Sequence, residues 1–191
     1  VTLRAAVLAL ALSGLAASAA CAEPLFDAYQ ALCVKTAAQP DAVLAAADGA
    51  GWQPIPDAML QQLGSGIAVQ SAQGRMKSDS AGLTLMVVGH KELPLGGVTA
   101  NMRFCAVATT SPVDASLAGD FAAWAAVPAE PGLSATGRNG YVFTDNGGAH
   151  TVVSKPGDAE AKDLLRSGRA NVAVIQEGKG LNLLAFAVPT M

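Results

Sequence analysis

The spacing of apolar residues changes once along this chain, at Gly64–Gly66, and that change bounds the fold. Before it, Phe26, Tyr29 and Cys33 recur three and four apart, with Val43, Leu44 and Ala47 following suit. This is the period of helices with one apolar side. Beyond it come short apolar runs punctuated by Gly, Asn, Asp and Pro, as strands and turns require. A helical block followed by strands, with two helices among them, predicts a single α+β domain. Its N-terminal helices and the two later ones pack on a largely antiparallel sheet of about six to seven strands.

In the first block, Pro24 suits a first helical position, where its missing N–H costs nothing. Asp41 after Pro40 can cap a second helix that ends at Gly49 or Gly51. A third short helix is predicted from Asp57 to Leu63. Trp52 lies between the second and third, where an aromatic beside a helix end packs into the core more often than it serves as a ligand platform.

The expected strands are Ile67–Gln73, Leu83–Gly89 and Val98–Ala108, then Tyr141–Thr144, His150–Val153, Asn171–Gln176 and Leu181–Val188. His90–Gly97 reads as a loop, and Pro128–Gly140 as a surface loop too short to separate two cores. Asp145-Asn146-Gly147-Gly148 is a strong hairpin signal. Helices open at Asp114, through Leu117, Phe121 and Trp124, and at Asp158, through Arg166. The last two strands are apolar on both faces, which places their hairpin centrally under helices. Pro112-Val113-Asp114-Ala115 and Pro156-Gly157-Asp158-Ala159 resemble one another, as a duplicated unit would. Pro followed by Asp is also ordinary helix-start punctuation, repeated at Pro40-Asp41-Ala42, and that reading is preferred.

The residues ahead of the first helix read VTLRAAVLALALSGLAASAACAEPL. Arg4 supplies a positive start, Ala5–Leu12 an unbroken apolar run of eight, and Ala20-Cys21-Ala22 an A-x-A site. That is the layout of a secretory signal peptide cleaved after Ala22. A lipid anchor on Cys21 is the variant. Ser18, Ala19 and Ala20 supply the small residues such a signal needs but lack its aliphatic one. Cleavage would leave residues 23–191 as the folded domain and, with Arg4 gone, move the net charge from −3 to −4. The longest later apolar run, Phe121–Val127, has seven residues, far short of the ~20 needed for a transmembrane helix.

Export changes the reading of the cysteines. With Cys21 removed, Cys33 and Cys105 form an even pair in a compartment that permits disulfides, so a Cys33–Cys105 bridge is expected. No C-x-x-C or Cys/His cluster is present, so no metal site is assigned.

Only 14% of residues are charged and 51% are hydrophobic. This excludes a disordered chain and a protein that grips nucleic acid through a basic surface. No G-x-S-x-G, Walker A or G-x-G-x-x-G motif occurs, and no spacing forces two carboxylates together. No catalytic residue, cofactor or metal ligand is therefore assigned. The polar residues available to a ligand are Arg103 and Asn101, which share one face of a predicted strand and could hold an anion at its edge, and His90 and His150 at strand ends.

The expectation is an exported protein of the periplasm or cell envelope without catalytic activity, binding an envelope protein or a small ligand. A small hydrolase assembled from residues distant in sequence is the alternative, with His90, His150, Arg103 and the carboxylates as its pool. A component lipid-anchored through Cys21 is a third reading.

Overall fold

The computed structural model describes residues 24–61, 69–80, 82–95, 98–153, 159–178 and 180–190. The expected leader, its expected cleavage site at Ala22, and Cys21 lie outside these residues. Eight strands form one sheet: β1 (Gln53–Pro54), β2 (Gln70–Asp79), β3 (Gly82–Leu95), β4 (Val98–Thr109), β5 (Arg138–Asn146), β6 (Ala149–Val152), β7 (Ala170–Gly178) and β8 (Leu181–Pro189). Their order is β1-β2-β3-β4-β8-β7-β5-β6, and every neighbouring pair is antiparallel. The fold is α+β as expected. The strand beyond the expected count is β1, whose two exposed residues carry no apolar signal.

The helices are α1 (Pro24–Tyr29), continued by a π-helical turn at Gln30–Val34, then α2 (Pro40–Gly49), α3 (57–61), α4 (Leu117–Ala125) and α5 (Ala159–Arg166). The wider π turn lets Leu32 and the adjacent Cys33 both point inward. Asp114 does not cap α4 from the position next to it. Its Oδ1 accepts the Ser116 N–H at 2.8 Å, and the helix starts at Leu117.

Alternation along the central strands gives the sheet two apolar faces. On the first, Cys105, Val107, Leu184, Phe186 and Tyr141 meet α1, the π turn, α2 and α4. Eight of the nine aromatic side chains gather there, with Tyr29 against Phe121, Trp124 and Phe186. Trp52 is 6% exposed and belongs to this core. The Cys33–Cys105 disulfide is present and ties the π turn to β4 across 72 positions. Cys105 thus lies on the side of the larger core, and Met102 and Phe104, out of phase with it on β4, do not. Those two belong to a second, smaller cluster on the opposite face, with Val142, Val172 and Ala187 under Ala161 and Leu165 of α5.

Because α4 and α5 pack on opposite faces, the two Pro-x-Asp-Ala segments do not lead to equivalent places. β8 lies between β4 and β7, the central position expected for the last hairpin.

Two strands differ from expectation. His90–Leu95 is not loop: β3 continues through it, and Leu95 pairs with Val98. β2 ends opposite His90, so among the described residues Lys91–Leu95 is paired on one side alone. Pro94, which lacks an N–H, is tolerated there. β2 runs Gln70–Asp79, past the expected end at Gln73, with a register irregularity between Gln70 and Gln73, while residues 67 and 68 of the expected strand lie outside the described residues. Arg138–Gly140, expected in a loop, opens β5. The Gly147-Gly148 turn has φ of 68° and 93°, the left-handed pair a two-residue hairpin needs.

Candidate functional site

The second face is less fully roofed than the first, and what lies between its covers is a groove of about 300 Å³. Beside it, Val69, just ahead of β2, lies over β3. Gly89 permits this, since a Cβ there would stand 2.6 Å from Val69 Cγ1 and 2.7 Å from the Gln70 carbonyl. The segment before β5 lays Leu133 onto Gly140, where a Cβ would collide with the Leu133 side chain. Two glycines therefore let two segments lie flat on the sheet, and of these Leu133 lines the groove, with Lys91 and Leu93 of β3 also among its lining.

The floor comes from β4, β8 and β7: Phe104, Ala185, Ala187, Val172 and Val174. Each of these residues has a paired strand on both sides, Phe104 between Gly89 and Ala187, and Val174 between Ala185 and Gly140. Their backbone groups serve the ladder, so the floor offers apolar side-chain surface and little else. Its depth follows from composition. On β8, Ala185 and Ala187 face the groove, while Leu184, Phe186 and Val188 belong to the opposite core.

Among the described residues, the polar side chains lining the groove are Lys91, Arg138 and Gln176, with no carboxylate. Gln176 pairs with both Leu183 and Arg138, so the amide and the guanidinium share one end. The Arg138 side chain makes no hydrogen bond or ion pair among the described residues. Lys91 sits toward the other end, its Nζ 5.7 Å from the centre of the Phe104 ring, within cation–π range. Burial lowers its pKa from the usual lysine value, because desolvation disfavours the charged form.

The residues singled out from sequence are not brought together. Arg103 and Asn101 share a face, as expected, but it is the first face. Arg103 is half-buried with an Nε that has no hydrogen-bond partner among the described residues. Asn101 is exposed, and its carbonyl accepts from the Thr190 N–H at 2.8 Å and hydroxyl at 3.1 Å. His90 is exposed on β3, register-paired with Arg103. His150 is on the far edge strand, β6. It stacks on Phe143 with centroids 4.0 Å apart, and its Nδ1 lies 3.1 Å from the Ala125 carbonyl. It thereby closes the end of α4 against the aromatic core.

Neither histidine has a carboxylate partner, and no group of three His, Cys, Asp or Glu suited to a metal occurs among the described residues. Tyr29 is fully buried, its hydroxyl has no partner among the described residues, and burial holds its pKa well above the usual tyrosine value. It is therefore a neutral phenol at physiological pH. No described helix is long and apolar enough to cross a membrane.

Comparison with protein-family models, curated proteins and solved structures finds no match to this chain. The groove residues Lys91, Phe104, Arg138 and Gln176 were not legible as a site. A sequence trace of the groove is the alternation of large and small residues in Leu184–Val188, which marks one face of β8 as shallow at Ala185 and Ala187.

Proposed function

We propose that this chain is an exported, non-catalytic binding or accessory protein of the periplasm or cell envelope, and that the groove over β4, β8 and β7 is its binding surface. The observation that carries the reading is the groove itself: a concave apolar floor with its hydrogen bonds already made, and a few polar side chains at its ends. Small-molecule sites have this make-up, at volumes of about 300–1,000 Å³. Export is supported by the leader-like N-terminus and by the Cys33–Cys105 bridge, since such bonds persist in oxidising compartments.

A thermal-shift screen of the exported protein against metabolite classes tests the binding role, because a ligand held by the native state raises its melting temperature. The expected result is a shift with at least one class that is lost in Leu183→Glu, a half-buried position lining the groove. A shift unaffected by that substitution would move the site elsewhere, and catalytic turnover of the bound class would replace the binding role with an enzymatic one. Intact mass of the exported protein checks the location: cleavage after Ala22 is expected, and an acyl chain on Cys21 would replace it with an anchored form.

A further inference from the structure

We infer that the occupant of this groove is a single-chain amphiphile with an anionic head, its hydrocarbon chain on the floor and its head held by Arg138 and Gln176. The inference rests on the proposed binding role and adds the chemistry of the ligand.

The first argument concerns the body of the ligand. Phe104, Ala185, Ala187, Val172 and Val174 belong to strands hydrogen-bonded on both sides. A peptide laid in the groove would find no sheet edge to pair with and would leave its own N–H and C=O groups desolvated without partners. A hydrocarbon chain carries no such groups, and its removal from water is favourable along its whole length. The floor thus selects for a chain without polar atoms along its length.

The second argument concerns the head. Arg138 and Lys91 line the groove and, among the described residues, no acid does, so a cationic ligand would meet like charge and an anionic one would meet opposite charge. Arg138 presents a planar fork of donors suited to a carboxylate or another oxyanion. Its neighbour Gln176 adds an amide donor at the same end. The two cations also mark a direction. Lys91 is on β3, in the row of Met102 and Pro189, whereas Arg138 is on β5, in the row of Gln176 and Leu183. The Lys91 ammonium already lies over Phe104, which leaves the exposed Arg138 end to take the head.

The test is calorimetric titration of the disulfide-intact protein with dodecanoate below its micelle concentration, set beside dodecanol, dodecyltrimethylammonium and butyrate. Dodecanoate is expected to bind at one per chain. Butyrate should bind at least a hundredfold more weakly for want of apolar surface, and the cationic amphiphile at least tenfold more weakly. Arg138→Met should reduce dodecanoate affinity about tenfold and leave dodecanol unchanged. Arg169→Met, a cation outside the groove, should change neither. Leu183→Glu should abolish both, with its melting temperature measured alongside to confirm folding.

If dodecanoate and dodecanol bind equally and Arg138→Met has no effect, the assignment of an anionic head is overturned while the groove stands as a binding site. If no amphiphile binds, and the metabolite screen yields a ligand whose shift Leu183→Glu abolishes, the ligand class is wrong and the site is right. If Leu183→Glu leaves every binding event intact, the groove itself is refuted.

Discussion

Reducing the Cys33–Cys105 bond is expected to cost this domain about 4.4 kcal/mol at 25 °C. The bond joins positions 72 apart. In the chain-entropy model, releasing a loop of that length returns about 15 cal/mol/K to the unfolded ensemble, while the native contacts around the two buried sulfurs persist. Against the 5–15 kcal/mol by which domains are ordinarily stable, this is a large share of the total. The assay is urea unfolding followed by tryptophan fluorescence and far-UV circular dichroism, with and without reductant. Trp124 reports from the aromatic core and Trp52 from the end of α2. The midpoint should fall, and the slope with urea should rise, because an uncrosslinked chain exposes more surface when it unfolds. Cys33→Ala/Cys105→Ala should behave as the reduced protein does, with a small further loss from the missing sulfur volume. A decrease below about 1 kcal/mol with an unchanged slope would refute the reasoning, since it would mean that the bond does not restrict the unfolded chain.

Three further outcomes follow from the same coordinates. Gly140→Val places side-chain atoms where Leu133 lies and should destabilise the protein by about 1–3 kcal/mol in chemical denaturation, the range for overpacked sites. Ala126, which ends α4 at φ 53°, holds a left-handed conformation that costs a residue with a Cβ, so Ala126→Gly should stabilise by about 0.5–1 kcal/mol in spite of the added chain freedom. Asp114 is lowered from the usual aspartate value, chiefly by the Ser116 N–H, and Asp48 by its hydrogen bond from Arg75. A depressed native pKa contributes stability that is complete above the unfolded value and lost as pH falls through the native one. Melting temperature followed from pH 6 to pH 2 should therefore drop less steeply in Asp48→Asn/Asp114→Asn than in the parent.

The architecture was legible where burial was two-sided and periodic. Leu181–Val188 reads as a central strand because both of its faces are apolar, and it is one. Leu117, Phe121 and Trp124 mark the helix that covers the aromatic core. What escaped were strands whose pairing comes from a neighbour rather than from their own pattern. β2 buries Gly74 alone, so its extent is dictated by β3. His90–Leu95 contains Lys, Glu and Pro and resembles a loop until Val98–Asn101 is seen to run beside it. The groove escaped for a different reason. Its lining is drawn from Lys91 and Phe104, from Leu133 and Arg138, and from residues 172–187, stretches far apart in the sequence, and no local spacing encodes their meeting.

The position of β8 has a consequence for the order of assembly. β2, β3 and β4 can pair as soon as they emerge, as can β5, β6 and β7, but the ladder joining the two halves runs through residues 181–189. Until those residues arrive, β4 and β7 each present an open edge able to template association with another chain. Completion of the sheet is therefore late and all-or-none, and a chain cut before Leu181 is expected to aggregate rather than to fold in part.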